Sequence, residues 1–352
     1  MRIALITMHA VDNYGSTLQT YATVRKLEEM GHEVVIIDYR IPVPTPYLKK
    51  VLLYPKHLKF SRFRKKHYYH ITKHYQTMED LQQNPPKADC YLVGSDMVWN
   101  SEITKETAKS FFLDFGDESV IRAAYAPSFG MLEWEDTDWL QKEDALRLLE
   151  RFHFLSVREI FGKDILQKDF GINNAIQVVD PTLLFDNYPE LTGEIKQTED
   201  LVIYKLLANS PGFYDKAKEV AAELNITPRS IGSIRRIKGV KCGYPEGIEG
   251  WIKRIGGAKF VITDSFHGTI FSILYHRQFI LYEKSPKLTS RMRSILLLLG
   301  LEDRIISNEM TPMEIKNKLL EKIDYNKVQS RLAELRKTSN DYLTQISSYE
   351  RN

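Results

Sequence analysis

The sequence predicts an α/β protein built from two successive parallel-sheet units and a charged helical tail. Three observations carry this. Apolar, β-branched runs at 2–8 and 34–39 flank a helical stretch at 17–30, the β-α-β opening of a parallel sheet. The same alternation starts afresh at 201–207, after a polar stretch at 186–199 that holds Pro189 and Gly193. Each apolar run then hands over to a polar or glycine-containing turn, the pattern of a crevice lined by strand C-termini. A chain of 352 residues, 43% hydrophobic and 27% charged, is long enough for two cores. The expected boundaries are 1–188, 189–310 and a helical tail at 311–352.

Taken in order, the first strand leads into His9 to Ser16 and a helix whose Leu18, Tyr21, Ala22, Val24 and Leu27 share a face. The glycine fingerprint of dinucleotide sites is missing from this turn. Gly15 would let backbone approach a ligand, while Asn13 and Ser16 offer either polar contacts or an ordinary helix cap. A strand at 90–93 delivers Gly94-Ser95-Asp96-Met97-Val98-Trp99-Asn100, and one at 120–126 delivers Pro127-Ser128-Phe129-Gly130. Residues 139–152 read as a helix, 154–157 as a strand ending at Arg158-Glu159, and 176–179 as a strand ending at Asp180-Pro181-Thr182. Guanidinium matches carboxylate and phosphate well, so Arg158 is either an anion ligand or a clamp on Glu159 or Asp180.

Between Tyr39 and Met78 there is no acidic residue, while ten Lys and Arg accumulate among Tyr47, Tyr54, Phe60, Phe63, Tyr68 and Tyr69. Pro42, Pro44 and Pro46 mark an extended start. This insertion, 41–78, is either a solvated helical element or a surface for an anionic membrane or acidic polymer.

The second unit reads as strand 201–207, helix 212–224, strand 229–234 with the basic turn Arg235-Arg236-Ile237-Lys238, helix 248–255 and strand 259–263. Then comes Asp264-Ser265-Phe266-His267-Gly268-Thr269, followed by Ile270, Phe271, Ile273 and Leu274 at helical spacing. This turn opens a helix, whose first N–H groups and dipole favour a phosphate or carboxylate, with His267 facing the seat. The alternative is a capped turn with a hydrogen-bonded core histidine. A strand at 278–282 and a helix at 288–299 carrying Arg291 and Arg293 complete the unit. Thr311, Pro312 and Glu314 have the spacing of a capping box, opening a helical tail with a break near 324–326.

The net charge of +3 is too small to argue for a nucleic-acid partner, and none is expected. Cys90 and Cys242 lie far apart with no zinc spacing, which suits a reducing compartment. The apolar start of about six residues is shorter than a signal-peptide core. No run approaches the roughly 18 residues of a membrane span. A cytoplasmic protein is expected, with peripheral contact at the inner face of the membrane left open.

Five turns, taken together, resemble the polysaccharide pyruvyl transferase family: Asn13-Tyr14-Gly15-Ser16 with Leu18-Gln19, Gly94 to Asn100, Ser156 to Glu159, Asp180 to Leu183, and Asp264 to Gly268. Met97 departs from the glutamine expected there. The resemblance implies two Rossmann-like domains in a GT-B-like arrangement with an interdomain cleft. It also implies transfer of the pyruvyl group of phosphoenolpyruvate to a sugar, or to a lipid-linked oligosaccharide, as a cyclic ketal with release of phosphate. The expected catalytic residues are His267 and Asp96. Donor binding would fall to Arg158, Ser265, His267, Gly268, Thr269, Arg291 and Arg293. The acceptor side would comprise Asn13, Tyr14, Gly15, Ser16, Ser95, Asp96, Trp99, Asn100 and Asp180. No metal or cofactor is needed beyond phosphoenolpyruvate as co-substrate. The alternatives are a GT-B glycosyltransferase using a nucleotide sugar and a non-catalytic glycan-binding protein of the same fold.

Overall fold

In the computed structural model, residues 1–42, 46–207, 210, 212–283 and 285–349 are described, apart from the side chains of 286–288. The chain divides into two compact units: residues 1–54, 61–185 and 334–352 form unit 1, and 55–60 with 186–333 form unit 2.

Unit 1 is organised on a five-stranded parallel sheet of order β3-β2-β1-β4-β5, comprising β1 (Arg2–Ile6), β2 (Glu33–Tyr39), β3 (Ile71–Tyr75), β4 (Cys90–Val93) and β5 (Ile121–Ala124). β1 lies between β2 and β4, and Ile3 to Ile6 are fully buried. A strand covered on both faces needs a continuous apolar run, which is what the sequence supplies. Helix α1 (Tyr14–Glu29) starts earlier than periodicity indicates, because Asn13 accepts hydrogen bonds from Gly15 N at 2.8 Å and Ser16 N at 3.2 Å. Such a cap is worth about 1 kcal/mol. The strands expected at 154–157 and 176–179 shorten to β6 (Ser156–Val157) and β7 (Ile176–Gln177), which pair with each other. A single bridge, Ala123 to Phe154, meets β5.

The basic segment contains helix α2 (Tyr47–His67) and then the edge strand β3. Phe63 and Tyr68 are buried, and Tyr68 Oη donates to Thr17 O at 3.0 Å. Pro42 and Pro46 precede the helix, whereas Pro44 lies outside the described residues.

Unit 2 repeats the plan with a six-stranded parallel sheet, β10-β9-β8-β11-β12-β13. Its strands are β8 (Leu201–Tyr204), β9 (Arg229–Ser230), β10 (Lys241–Cys242), β11 (Phe260–Thr263), β12 (Gln278–Tyr282) and β13 (Ile305–Ile306). Chain order reverses between β1 and β4 in unit 1 and between β8 and β11 in unit 2. Loops beyond these switch points are where open α/β sheets bind ligands.

The remaining helices of ten or fewer turns that matter below are α3 (Lys142–Leu149), α4 (Ile160–Lys168), α5 (Phe213–Glu223), α6 (Ile248–Gly256), α7 (Phe266–Leu274), α8 (Pro286–Leu299), α9 (Pro312–Leu320) and α10 (Tyr325–Ser347). The capping box at Thr311 and Glu314 forms. Residues 334–347 of α10 belong to unit 1, where Tyr342 Oη donates to Ala124 O at 2.8 Å and Ser339 Oγ accepts from Val179 N at 3.0 Å. Both cysteines are free, and burial in β4 pushes the Cys90 thiol up to about 12. Among the described residues no helix is long and apolar enough to cross a membrane.

Candidate active site

At the switch point of unit 1, the loop after β4 reaches the start of α1. Ser16 Oγ donates to Asp96 Oδ2 at 2.5 Å, and Met97 N donates to Asp96 Oδ1 at 2.9 Å. Asp96 has φ +84°, a conformation L-residues rarely adopt, and its side chain is held at the sheet edge with 9% exposure. Backbone strain of this kind costs about 1–3 kcal/mol and persists where the surroundings impose it. The surroundings here are evident: Ser128 N donates to Asp96 O at 2.9 Å, and Thr7 Oγ1 donates to Ser95 O at 2.9 Å.

Behind Asp96 lies a buried polar network. Arg158 Nε donates to Glu159 Oε1 at 2.7 Å, and Arg158 Nη1 to Asp180 Oδ2 at 2.9 Å. Asp180 also accepts from Ser95 Oγ at 3.1 Å and from Thr182 N and Oγ1 at 3.0 and 2.7 Å. Burial alone works against the guanidinium charge, but Glu159, Asp180 and Asp96 outweigh it and hold Arg158 above its ordinary value. One cation among three carboxylates makes this cluster net negative if all are ionised, a setting suited to hydroxyl groups rather than to an anion.

At the switch point of unit 2, Ser265 caps α7, its Oγ accepting from Gly268 N at 3.3 Å. Gly268 is required by space: a Cβ there would lie 2.4 Å from Thr263 Oγ1 and 2.9 Å from Tyr204 Cδ1. That contact brings the helix start close to the strand ends, where Thr263 Oγ1 donates to Tyr204 O at 2.7 Å. Thr269 Oγ1 donates back to Ser265 O at 3.0 Å. His267, second residue of the helix, is nearly buried beside Phe266. Asp264 does not cap the helix. Its carboxylate accepts from Leu206 N at 2.6 Å and from Ser210 Oγ at 3.1 Å, bracing the loop after β8. Burial raises the Asp264 carboxyl above its ordinary value, while the bonds from Leu206, Leu207 and Ser210 act the other way.

A model of the family described as polysaccharide pyruvyl transferase matches residues 13–285, a span that includes both switch-point loops. The chain belongs to the polysaccharide pyruvyl transferase family. It is therefore a transferase. No protein of curated function matches this pyruvyl transferase family member by sequence. Among solved structures it resembles a putative UDP-N-acetylglucosamine 2-epimerase from Listeria monocytogenes, with TM-score 0.56 and 9% identity over 99% of this chain and 96% of that one. It also resembles UDP-GlcNAc 2-epimerase from Methanocaldococcus jannaschii, with TM-score 0.55 and 14% identity over 99% and 100% of the two chains. Arabidopsis thaliana UGT89C1 follows at 0.53 and 10%, covering 98% of each. These likenesses establish the fold, two Rossmann-like α/β units of GT-B type.

Within the pyruvyl transferase chain, several expected site residues have other positions. Trp99 has 0% exposure and packs between Phe112 and Phe129, its Nε1 donating to Phe111 O at 3.0 Å, so it is a core residue where an acceptor-side position was expected. Asn13 and Asn100 are helix caps, and Tyr14 is buried. Gly15 lies in the first turn of α1. Arg293 pairs with Glu283 at 2.8 Å, and Arg291 is half-buried on the same helix, α8. Arg158 has the two carboxylate partners of a clamp, where a donor ligand was expected.

Three residues that sequence reasoning left out of the site belong to its framework. Gln19 donates to Thr7 Oγ1 at 2.9 Å and ties α1 to the loop after β1. Glu159 completes the arginine clamp, and Thr182 closes the Asp180 turn. All three stand inside the family-like motifs; Glu159 was already a possible clamp partner of its neighbour Arg158, whereas the Gln19 partner Thr7 is 12 residues away and no spacing reveals it.

Proposed function

We propose that the enzyme moves the pyruvyl group of phosphoenolpyruvate onto a sugar of a surface polysaccharide, or of its lipid-linked precursor, as a cyclic ketal. Membership of the pyruvyl transferase family, across a match spanning both switch-point loops, is the observation that carries this reading. The two loops differ in the manner such a reaction needs. The α7 start offers backbone N–H groups and His267 to a compact anion. The Asp96 carboxylate, oriented by Ser16 and the Met97 amide, offers an acceptor for a sugar hydroxyl proton.

In the proposed reaction, two sugar hydroxyl oxygens become bonded to the enol carbon, the terminal methylene becomes a methyl, and the bond to the phosphate oxygen breaks. Of the two hydroxyl protons, one ends on the methylene carbon and the other leaves with phosphate. Asp96 takes a proton from the attacking hydroxyl, and His267 holds the phosphate or delivers the proton to carbon. Arg158 is a positioning residue, fixing Asp180 and Ser95 behind Asp96.

Mass spectrometry of candidate sugars incubated with phosphoenolpyruvate tests the reading, with a pyruvyl ketal and equal release of phosphate expected. Release of nucleotide from a sugar nucleotide, with no phosphoenolpyruvate consumed, would replace it with glycosyl transfer. Tight glycan binding without turnover of any donor would replace it with a binding role.

The start of α2 supports an acceptor met at a membrane surface. Its first half exposes Tyr47 at 78% and Leu48 at 82%, with Val51, Leu52 and Tyr54 also exposed, beside Lys49 and Lys50. An exposed apolar stripe flanked by lysines suits the headgroup region of an anionic membrane. Co-sedimentation with anionic liposomes is expected at low salt and should weaken as salt rises. No binding at low salt would remove membrane contact from the reading.

A further inference from the structure

The two grips on Asp96 converge on one side chain. Ser16 holds the Asp96 carboxylate, and the backbone on the other side is held at the preceding residue, Ser95. Thr7, 1% exposed just past the end of β1, serves both. Its hydroxyl donates to Ser95 O at 2.9 Å and accepts from Gln19 Nε2 at 2.9 Å, and the same Gln19 nitrogen donates to Ser16 O at 3.0 Å. Thr7, Ser95, Asp96, Ser16 and Gln19 thus form a closed ring of bonds at the switch point of unit 1. Gly94 gives the ring its room, since a Cβ there would lie 3.1 Å from Thr7 Cβ and 3.0 Å from Leu5 Cδ1.

Behind Thr7 stands a buried ion cluster that the proposed reaction does not use. His9, 2% exposed, donates from Nδ1 to Thr7 O at 3.2 Å, and its backbone N donates to the same oxygen at 2.8 Å. Its Nε2 meets Asp38 Oδ1 at 3.0 Å. Arg40 grips Asp38 from Nε and Nη2 through two bonds of 2.7 Å, and His74 Nδ1 lies 3.6 Å from Asp38 Oδ1. A buried pair of this kind is seldom the most favourable way to stabilise a core, because apolar side chains of similar volume often do as well. What it adds is direction: with the ring of His9 held at both nitrogens, the Thr7 carbonyl is fixed, and the Thr7 hydroxyl with it.

We propose that Thr7 is a positioning residue for Asp96 and that the His9–Asp38 pair sets Thr7. The inference rests on the reading of Asp96 as the base in pyruvyl transfer and names the device that holds this base in place. The ring acts through Asp96, so its loss lowers kcat and leaves the KM for phosphoenolpyruvate unchanged.

Two substitutions separate the hydroxyl from the shape of the side chain: Thr7→Val removes the hydroxyl and Thr7→Ser keeps it. In steady-state pyruvyl transfer by the full chain, Thr7→Val should lower kcat by about tenfold or more with KM for phosphoenolpyruvate within about twofold of wild type. Thr7→Ser should recover most of that loss, and His9→Ala should show the same split between kcat and KM. In an Asp96→Asn background, Thr7→Val should lower kcat by no more than about twofold further, because the two residues act as one unit. Wild-type kcat in Thr7→Val would overturn the proposal, as would an equal loss in Thr7→Ser or a full additional loss in the Asp96→Asn background. Hydrogen exchange followed by mass spectrometry reads the ring without turnover. The amides of residues 96–98 should exchange faster in Thr7→Val, while those of 201–204 in unit 2 exchange as in wild type. Unchanged exchange at 96–98 would overturn the positioning role. Absence of pyruvyl transfer by the wild-type chain would instead strike the proposed reaction, so the two failures are told apart.

Discussion

Asp96 and Asp264 occupy corresponding places in the two units, each just beyond the strand at which chain order reverses and each accepting a serine hydroxyl from across the switch point, Ser16 in the first turn of α1 and Ser210 in the loop after β8. Their surroundings differ. Asp264, 1% exposed, accepts from two backbone N–H groups and Ser210, which makes it a brace for the loop after β8. Asp96, 9% exposed and at positive φ, is held at the edge by Ser16 and its neighbouring amide. The same residue type at equivalent points is a scaffold in one unit and a candidate base in the other. What separates them is the satisfaction of their oxygens, not the sequence spacing.

The comparison can be broken in several places. The largest expected effect on activity is that of Asp96→Asn, which should lower kcat by about 10²–10⁴-fold with a thermal midpoint close to wild type. Wild-type turnover in this variant would remove Asp96 from the chemistry. Next comes Arg158→Ala, which should destabilise the protein by about 3–5 kcal/mol in urea unfolding, because Glu159 and Asp180 are left as buried carboxylates without their cation. A loss below about 1 kcal/mol would mean that the clamp is not structural. Asp264→Asn should cost about 1–3 kcal/mol, since an amide nitrogen turns a donor toward Leu206, Leu207 or Ser210. Gly268→Ala should cost about 1–3 kcal/mol through overpacking against Thr263 and Tyr204.

A smaller effect sharpens the electrostatic side. Asp38 is buried, which opposes its charge, yet His9 and Arg40 bond to it and hold its carboxyl well below the usual range. A depressed carboxyl stabilises the native state above the unfolded value, about 3.9, and this contribution is lost as pH falls toward the folded value. Asp38→Asn should therefore flatten the loss of stability on acidification below about pH 4, measured by urea unfolding at several pH values. An acid limb identical to wild type would contradict the assignment.

Much of the architecture was readable from the chain, because parallel strands buried on both faces leave continuous apolar runs such as 3–6 and 260–263. β3 escaped notice because it is an edge strand with mostly exposed side chains inside a basic segment. β9, expected at 229–234, shortens to two residues, and β10, also two residues, leaves no periodic signal. In the candidate site, the turns were recognisable, and the Asn13 cap and the Arg158 clamp were among the readings the sequence left open. Trp99, placed on the acceptor side by the resemblance, is enclosed by Phe112 and Phe129, and the Arg158 clamp also takes a carboxylate 22 residues away. Arg293 reads as an anion ligand until folding brings Glu283 to it.

The division of labour between the two aspartate loops is tested most directly by phosphoenolpyruvate binding, measured by calorimetry on Asp96→Asn and His267→Ala. Wild-type affinity in Asp96→Asn together with a loss of about tenfold or more in His267→Ala is the predicted result. Equal weakening in both, or an intact affinity in His267→Ala, would contradict a donor seat at the start of α7.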